Sequence, residues 1–160
     1  GPKAKTFREA DSVAPSNLYA QTKHAIEEYI LSRDWPMPVQ AFRYFNVYGP
    51  HEDHKDQPSP YSLFRRQAAD TGKIVVFAGS ESICRDFVPV ERVVEVHKRF
   101  FDLPVSGVYN IGTGKAVSFM DVARTVALET DAEIVTVPMP YLPDYQRFTQ
   151  ADMTKTHSLL

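Results

Sequence analysis

Tyr19 and Lys23 stand four residues apart in the pattern Tyr-x-x-x-Lys. On a helix that spacing puts both side chains on one face. An ammonium beside a phenol stabilises the phenolate, so the pair is a candidate for moving a proton near neutral pH. With 8 Tyr and 18 Lys or Arg in 160 residues, chance supplies about one Tyr-x-x-x-Lys/Arg match, so the motif needs support from its surroundings. Lys23 provides some, lying beside apolar positions rather than on the polar Gln21/His24/Glu27 face where a solvating lysine belongs. A second candidate base is Lys55, in the polar run His51-Glu52-Asp53-His54-Lys55. That run lacks an H-x-x-x-H helix or a cysteine set, so no metal site is expected. Arg85 offers a planar fork suited to phosphate oxygens, although an Arg beside Asp86 in a strand is ordinarily an ion pair. Gly112-Thr113-Gly114 lacks the third glycine of a dinucleotide loop and reads as a tight turn; Cys84 reads as a packing residue.

These residues need elements to hold them. A helix is predicted over 18–32, capped by Ser16 or Asn17. Its apolar face is Leu18, Ala25, Ile26, Tyr29 and Ile30, its polar face Gln21, His24, Glu27 and Glu28, and Trp35-Pro36-Met37-Pro38 ends it. Residues 39–46 form an aromatic-rich apolar run, the pattern of a strand buried on both faces of a parallel sheet. A long polar loop follows over 49–60, of the kind that carries function in a compact domain. Further helices are expected at 61–70, 91–102 and from Ser118 to about Glu129, with strands at 74–77, 85–90, 107–111 and 134–139. A Pro-rich loop (Pro138, Pro140, Pro143) comes next, and the chain stops on what reads as a helix just begun. Alternating strands and helices make this an α/β chain.

Bulk properties exclude several classes. A net charge of −2 gives no electrostatic reason to expect nucleic acid or an anionic membrane as partner. Cys84 is the only cysteine, which rules out an intrachain disulfide and suggests a reducing, cytoplasmic compartment. No apolar run approaches membrane-spanning length.

Tyr19-x-x-x-Lys23, the strand after it and the run Arg43-Tyr44-Phe45-Asn46-Val47-Tyr48-Gly49-Pro50 together resemble the extended short-chain dehydrogenases that act on nucleotide sugars. Gly49-Pro50-His51-Glu52-Asp53-His54-Lys55 and Phe148-Thr149-Gln150-Ala151-Asp152 are similar to the ADP-heptose 6-epimerase branch of that family. The resemblance implies a partial Rossmann-like parallel sheet plus a small α/β substrate-binding subdomain. Residues 16–50 would be the tail of the Rossmann-like domain and 51–160 mainly the substrate-binding portion. It implies Tyr19 as acid/base, Lys23 on the nicotinamide ribose and Lys55 as a second base, with Tyr19, Lys23, Val47 and Lys55 lying against NADP or NAD. It places Asn46, Gln57, Phe77, Ala78, Gly79, Ser80, Arg85 and Tyr145 on an ADP-sugar, with Arg85 at the pyrophosphate. Gln57 and Leu63 depart from the branch, standing where a Ser and a His are expected, which leaves the exact sugar open.

None of the seven glycines builds the dinucleotide fingerprint, which in the family lies upstream of the Tyr. The resemblance therefore covers about half of a family member. The expectation is a fragment that binds no cofactor and lacks activity by itself, and that pairs through exposed strand edges into a dimer. The alternatives are a stand-alone nucleotide-sugar-binding module, or part of a nucleotide-sugar 4-epimerase or dehydratase.

Overall fold

The computed structural model describes residues 6–15, 17–52, 54–141 and 145–160. Ser16, Asp53 and Pro143, named above, lie outside the described residues.

The first helix, α1 (Leu18–Leu31), begins where Asn17 accepts a hydrogen bond from the Ala20 amide at 2.8 Å. It ends at Ser32, and the Trp35 indole N–H folds back to the Ile30 carbonyl at 2.8 Å, satisfying one of the last orphan carbonyls. Most of its expected apolar face is not the packing face. Leu18, Tyr19, Ile26 and Tyr29 are exposed, whereas Glu27 turns inward to meet both nitrogens of the Arg43 fork. An ion pair, not an apolar stripe, docks this helix on the sheet.

The apolar run at 39–46 forms two strands rather than one. β1 (Gln40–Tyr44) pairs in parallel with β5 (Gly107–Ile111). β2 (Asn46–Tyr48) leaves that neighbour and pairs in parallel with β4 (Cys84–Pro89). β1 is half-buried rather than buried, with Tyr44 50% exposed. Its alternate residues face opposite ways: Arg43 meets α1, while Phe42 packs on Phe100 and His97 of α3 (Val90–Phe101). The core on that side is Val88, Val96, Phe100, Tyr109 and Ile111.

A second core joins α2 (Pro60–Thr71), β3 (Lys73–Phe77) and α4 (Phe119–Thr130) through Phe64, Ile74, Val76, Phe87, Met120, Val122 and Val126. Gly72, left-handed at φ 67°, stops α2, a conformation glycine adopts without steric cost. β3 pairs in parallel with β7 (Glu133–Val137). That strand ends before Pro138, which has no N–H to continue a ladder. Between them β6 (Ala116–Ser118) pairs antiparallel with β4. At three residues it is too short to show a period in the sequence. Ser118 then caps α4 by accepting from the Asp121 amide at 3.0 Å. The helix at the end, α5, is Thr154–His157.

Candidate functional site

The site is assembled around the β2–β4 pairing, which sets Asn46 opposite Phe87 and Val47 opposite Val88. This register brings the Asn46-Val47-Tyr48 segment beside Arg85-Asp86, which the sequence separates by nearly forty residues. Tyr48 stacks on Tyr61 of α2 (centroids 4.2 Å apart, 18° between planes), and Tyr61 meets the Phe87 edge. Gly49 is required by contact: a Cβ there would lie 2.5 Å from Val90 Cγ1.

Arg85 is 8% exposed, yet among the described residues no carboxylate pairs with it. Its fork donates to the carbonyls of Cys84 and Gln146, and its guanidinium lies between the rings of Phe119 (5.8 Å) and Tyr145 (5.5 Å). Burial pushes its pKa down from the usual arginine value and outweighs the opposing influence of Tyr145 and Cys84. A buried cation held by carbonyls and aromatic faces has no carboxylate partner among the described residues, so an anion there gains a charge-assisted partner. The alternative of an Arg85–Asp86 ion pair is not what forms.

Asp86 does something different. It is fully buried and accepts hydrogen bonds from the Thr113 amide and hydroxyl, the Gly114 amide and the Ala151 amide at 2.7–3.0 Å. A Cβ on Gly112 would lie 2.7 Å from the Ala151 side chain and 2.8 Å from an Asp86 oxygen. The turn therefore directs its Thr113 and Gly114 N–H groups to Asp86 rather than to a pyrophosphate. Asp86 also anchors the segment 145–151, which runs along β4 with Cys84 N–H donating to the Arg147 carbonyl and Thr149 N–H to the Cys84 carbonyl. That anchorage carries Tyr145 to Arg85. Local sequence holds no hint of this role, because four donors converge from positions distant along the chain.

Glu52 is the other residue missed. It is 4% exposed and accepts from the Gly49 amide and from the amide and hydroxyl of Ser59, the cap of α2. Burial pulls its pKa up, but the Ser59 and Gly49 hydrogen bonds and the Lys55 charge outweigh that and leave it lowered. Lys55, half exposed, reaches Glu52 at 3.5 Å, and its amide donates to the Glu52 carbonyl. The 49–59 loop is thus folded around one carboxylate that holds the candidate base.

Tyr19 and Lys23 share a face as expected, the Lys23 ammonium 5.3 Å from the Tyr19 ring centre. Tyr19 is 72% exposed, and Lys23 is exposed too. Among the described residues, no hydrogen bond or ion pair joins the pair to Asn46, Val47 or Lys55. Gln57 is exposed, as are Phe77 at the end of β3 and Ala78 and Gly79 in the turn after it, where Ser80 is buried with its hydroxyl on the Phe77 carbonyl at 2.6 Å. The structure thus yields three local groups: Tyr19–Lys23, Glu52–Lys55 and Arg85–Tyr145.

Parallel strands flanked by helices, with a Tyr–Lys pair at one helix and a buried arginine in the adjoining lobe, define the α/β class of extended short-chain dehydrogenase folds. Residues 1–112 match the NAD dependent epimerase/dehydratase family, and the chain belongs to that family. The ADP-L-glycero-D-manno-heptose-6-epimerase of Helicobacter pylori is similar at 26% identity and a TM-score of 0.77, over 92% of this chain and 49% of that one. The UDP-glucose 4-epimerase of Thermus thermophilus, solved in complex with NAD, is similar at 25% identity and TM-score 0.85, over 99% of this chain and 52% of that one. That of Thermotoga maritima, solved with UDP-glucose, gives 27% identity and TM-score 0.83 with the same two coverages, 99% and 52%. The chain spans about half the length of these solved structures. No described helix is long and apolar enough to cross a membrane.

Proposed function

We propose that this chain is the substrate-binding portion, with part of the catalytic apparatus, of an ADP-L-glycero-D-manno-heptose 6-epimerase. The observation that carries the reading is Arg85, a buried guanidinium without a carboxylate partner among the described residues, faced by Tyr145. In the proposal a sugar-nucleotide pyrophosphate supplies the missing negative charge. Phe77, Ala78, Gly79 and Ser80 line the nucleotide end, and Asn46 and Gln57 the sugar end. Tyr19 takes the proton of the C6 hydroxyl as that carbon is oxidised to a ketone. Lys55, held by Glu52, serves the opposite face, so that either epimer has a base.

A nicotinamide dinucleotide, NADP or NAD, supplies the two-electron acceptance and return of this family's chemistry. Tyr19 and Lys23, exposed and without side-chain hydrogen-bond or ion-pair partners among the described residues, fit one end of it, with the Val47 backbone and Lys55 nearby in the proposal. The described residues offer no cradle for its phosphates, since the Gly112 turn is filled by Asp86. The chain by itself is accordingly proposed to be inactive, and the whole enzyme to be cytoplasmic.

The two UDP-glucose 4-epimerases superpose at higher TM-scores than the heptose epimerase, and this favours a 4-epimerase as the second reading. The test joins this chain to a family cofactor-binding half and measures inversion of ADP-heptose at C6 against UDP-glucose at C4. C6 inversion that collapses in Lys55→Ala supports the first reading. C4 inversion indifferent to Lys55→Ala replaces it with the second.

A further inference from the structure

A continuous run of rings joins the Arg85–Tyr145 group to the Glu52–Lys55 group. Phe119, 5.8 Å from the Arg85 guanidinium, meets Phe87 edge-on with ring centres 5.8 Å apart. Phe87 in turn meets Tyr61 at 5.6 Å and 88°, and Tyr61 stacks on Tyr48 at 4.2 Å. Phe87, 5% exposed, is the buried middle of the run, and the other three rings are half-buried. Rings in contact at these separations resist displacement, because a shift opens a void on one side and overpacks the other.

Tyr48 and Tyr61 also flank the polar loop that carries Lys55, so their stack closes that loop at its base. Inside the closure, Glu52 accepts the Gly49 N–H from one end and the Ser59 N–H and hydroxyl from the other. The Lys55 ammonium is held from Glu52 at 3.5 Å. The start of the loop is pinned as well, since Gly49 packs on Val90 with no room for a Cβ. Tyr61 is the one ring in this run that touches both the closure of the loop, through Tyr48, and the path to Arg85, through Phe87.

We propose that Tyr61 is a positioning residue that fixes Lys55 relative to Arg85, and so selects nucleotide sugars by the span from their pyrophosphate to the hydroxyl that Lys55 meets. Rings of fixed size set one separation. A sugar whose hydroxyl falls short of it or beyond it engages Arg85 or Lys55 but not both. The proposal rests on the reading of Arg85 as the pyrophosphate group and Lys55 as a base, and it adds the residue that holds the two in register. Tyr61 itself need touch no part of the substrate, and its hydroxyl takes no part in the stack.

The test is calorimetric titration of the purified chain with ADP-heptose and, separately, with ADP, which has the pyrophosphate and no sugar. Lys55→Ala should weaken ADP-heptose roughly tenfold, the size of one hydrogen bond to a charged group, and leave ADP within about twofold. Tyr61→Leu should reproduce that pattern and add nothing further when combined with Lys55→Ala. Tyr61→Phe, which keeps the ring, should bind both ligands as the unaltered chain does. If Tyr61→Leu fails to fold, Tyr48→Leu opens the same stack from the other side and carries the same expectation. Equal weakening of ADP and ADP-heptose, or losses that add to those of Lys55→Ala, would make Tyr61 plain core packing and overturn the proposal alone. ADP-heptose that fails to bind, or that binds Arg85→Met unchanged, overturns the nucleotide-sugar reading and the proposal with it.

Discussion

The Arg85 guanidinium lies 5.5 Å from the Tyr145 ring, sixty residues on in the chain, and its fork donates to the carbonyl of Gln146 next to that tyrosine. Nothing in either residue's neighbourhood in sequence requires this meeting. It is produced by Asp86, whose hydrogen bond from Ala151 fixes the returning segment beside β4. One residue of the Arg85-Asp86 pair thus fixes the returning segment, and the other has no carboxylate partner among the described residues.

That division predicts a separation of stability from binding. Arg85→Met keeps most of the volume and removes a buried charge, at the loss of hydrogen bonds to two carbonyls. Its unfolding free energy should stay within about 1 kcal/mol of the unaltered chain, because losing the bonds and losing the desolvation penalty oppose each other. Urea denaturation measures this. A loss of several kcal/mol would mean that Arg85 is a structural strut.

Glu52 predicts a specific acid sensitivity. Its pKa is lowered in the folded chain, so the unfolded state binds the proton more readily. The stability it contributes is present above the ordinary glutamate value of 4.5 and is lost as the pH falls through the lower folded value. Glu52→Gln should remove that portion of the acid transition while leaving stability at neutral pH reduced. Thermal melts between pH 7 and pH 3 (roughly the carboxylate range) compare the two slopes, and identical slopes would refute the assignment.

Gly49 predicts a contact-limited substitution. Gly49→Ala should cost about 1–3 kcal/mol through overpacking on Val90. Val90→Ala in the same chain should recover much of that cost, whatever it does alone. A double-mutant cycle with no coupling between the two positions would show that the clash is relieved by backbone movement instead.

Helix α1 gives a further contrast. Ile26→Lys, on the exposed apolar face, should change the stability of the monomer by no more than about 0.5 kcal/mol. Glu27→Ala strips the Arg43 fork of its partner and should cost about 1–3 kcal/mol. The opposite ranking would restore the apolar stripe as the packing face.

Local pattern suffices for some of these elements and not for others. Helix caps and stops are local chemistry, so Asn17, Gly72 and Ser118 mark their boundaries correctly, and the strand at 107–111 follows from its apolar run. The direction of α1 is not local. Helical spacing reveals two faces but not which one meets the sheet, and the Glu27–Arg43 pair decides it. The break at Phe45 arises because the chain changes partner from β5 to β4, which no period records. Spacing is what singles out Tyr19 and Lys23 as candidates, and the surrounding motifs are what single out Lys55 and Arg85. Asp86 and Glu52 are not, since each works by collecting donors from separate segments.

The most direct test of the central claim is a thermal-shift titration of the purified chain and of Arg85→Met with an ADP-sugar, and separately with NADP⁺. At about 100 times the dissociation constant a bound ligand adds roughly 2.7 kcal/mol of stability, readily seen as a rise in Tm. The expected result is a rise with the ADP-sugar that vanishes in Arg85→Met, and none with NADP⁺ alone. A folded chain that ignores the ADP-sugar, or a rise that persists without the Arg85 guanidinium, would contradict the claim.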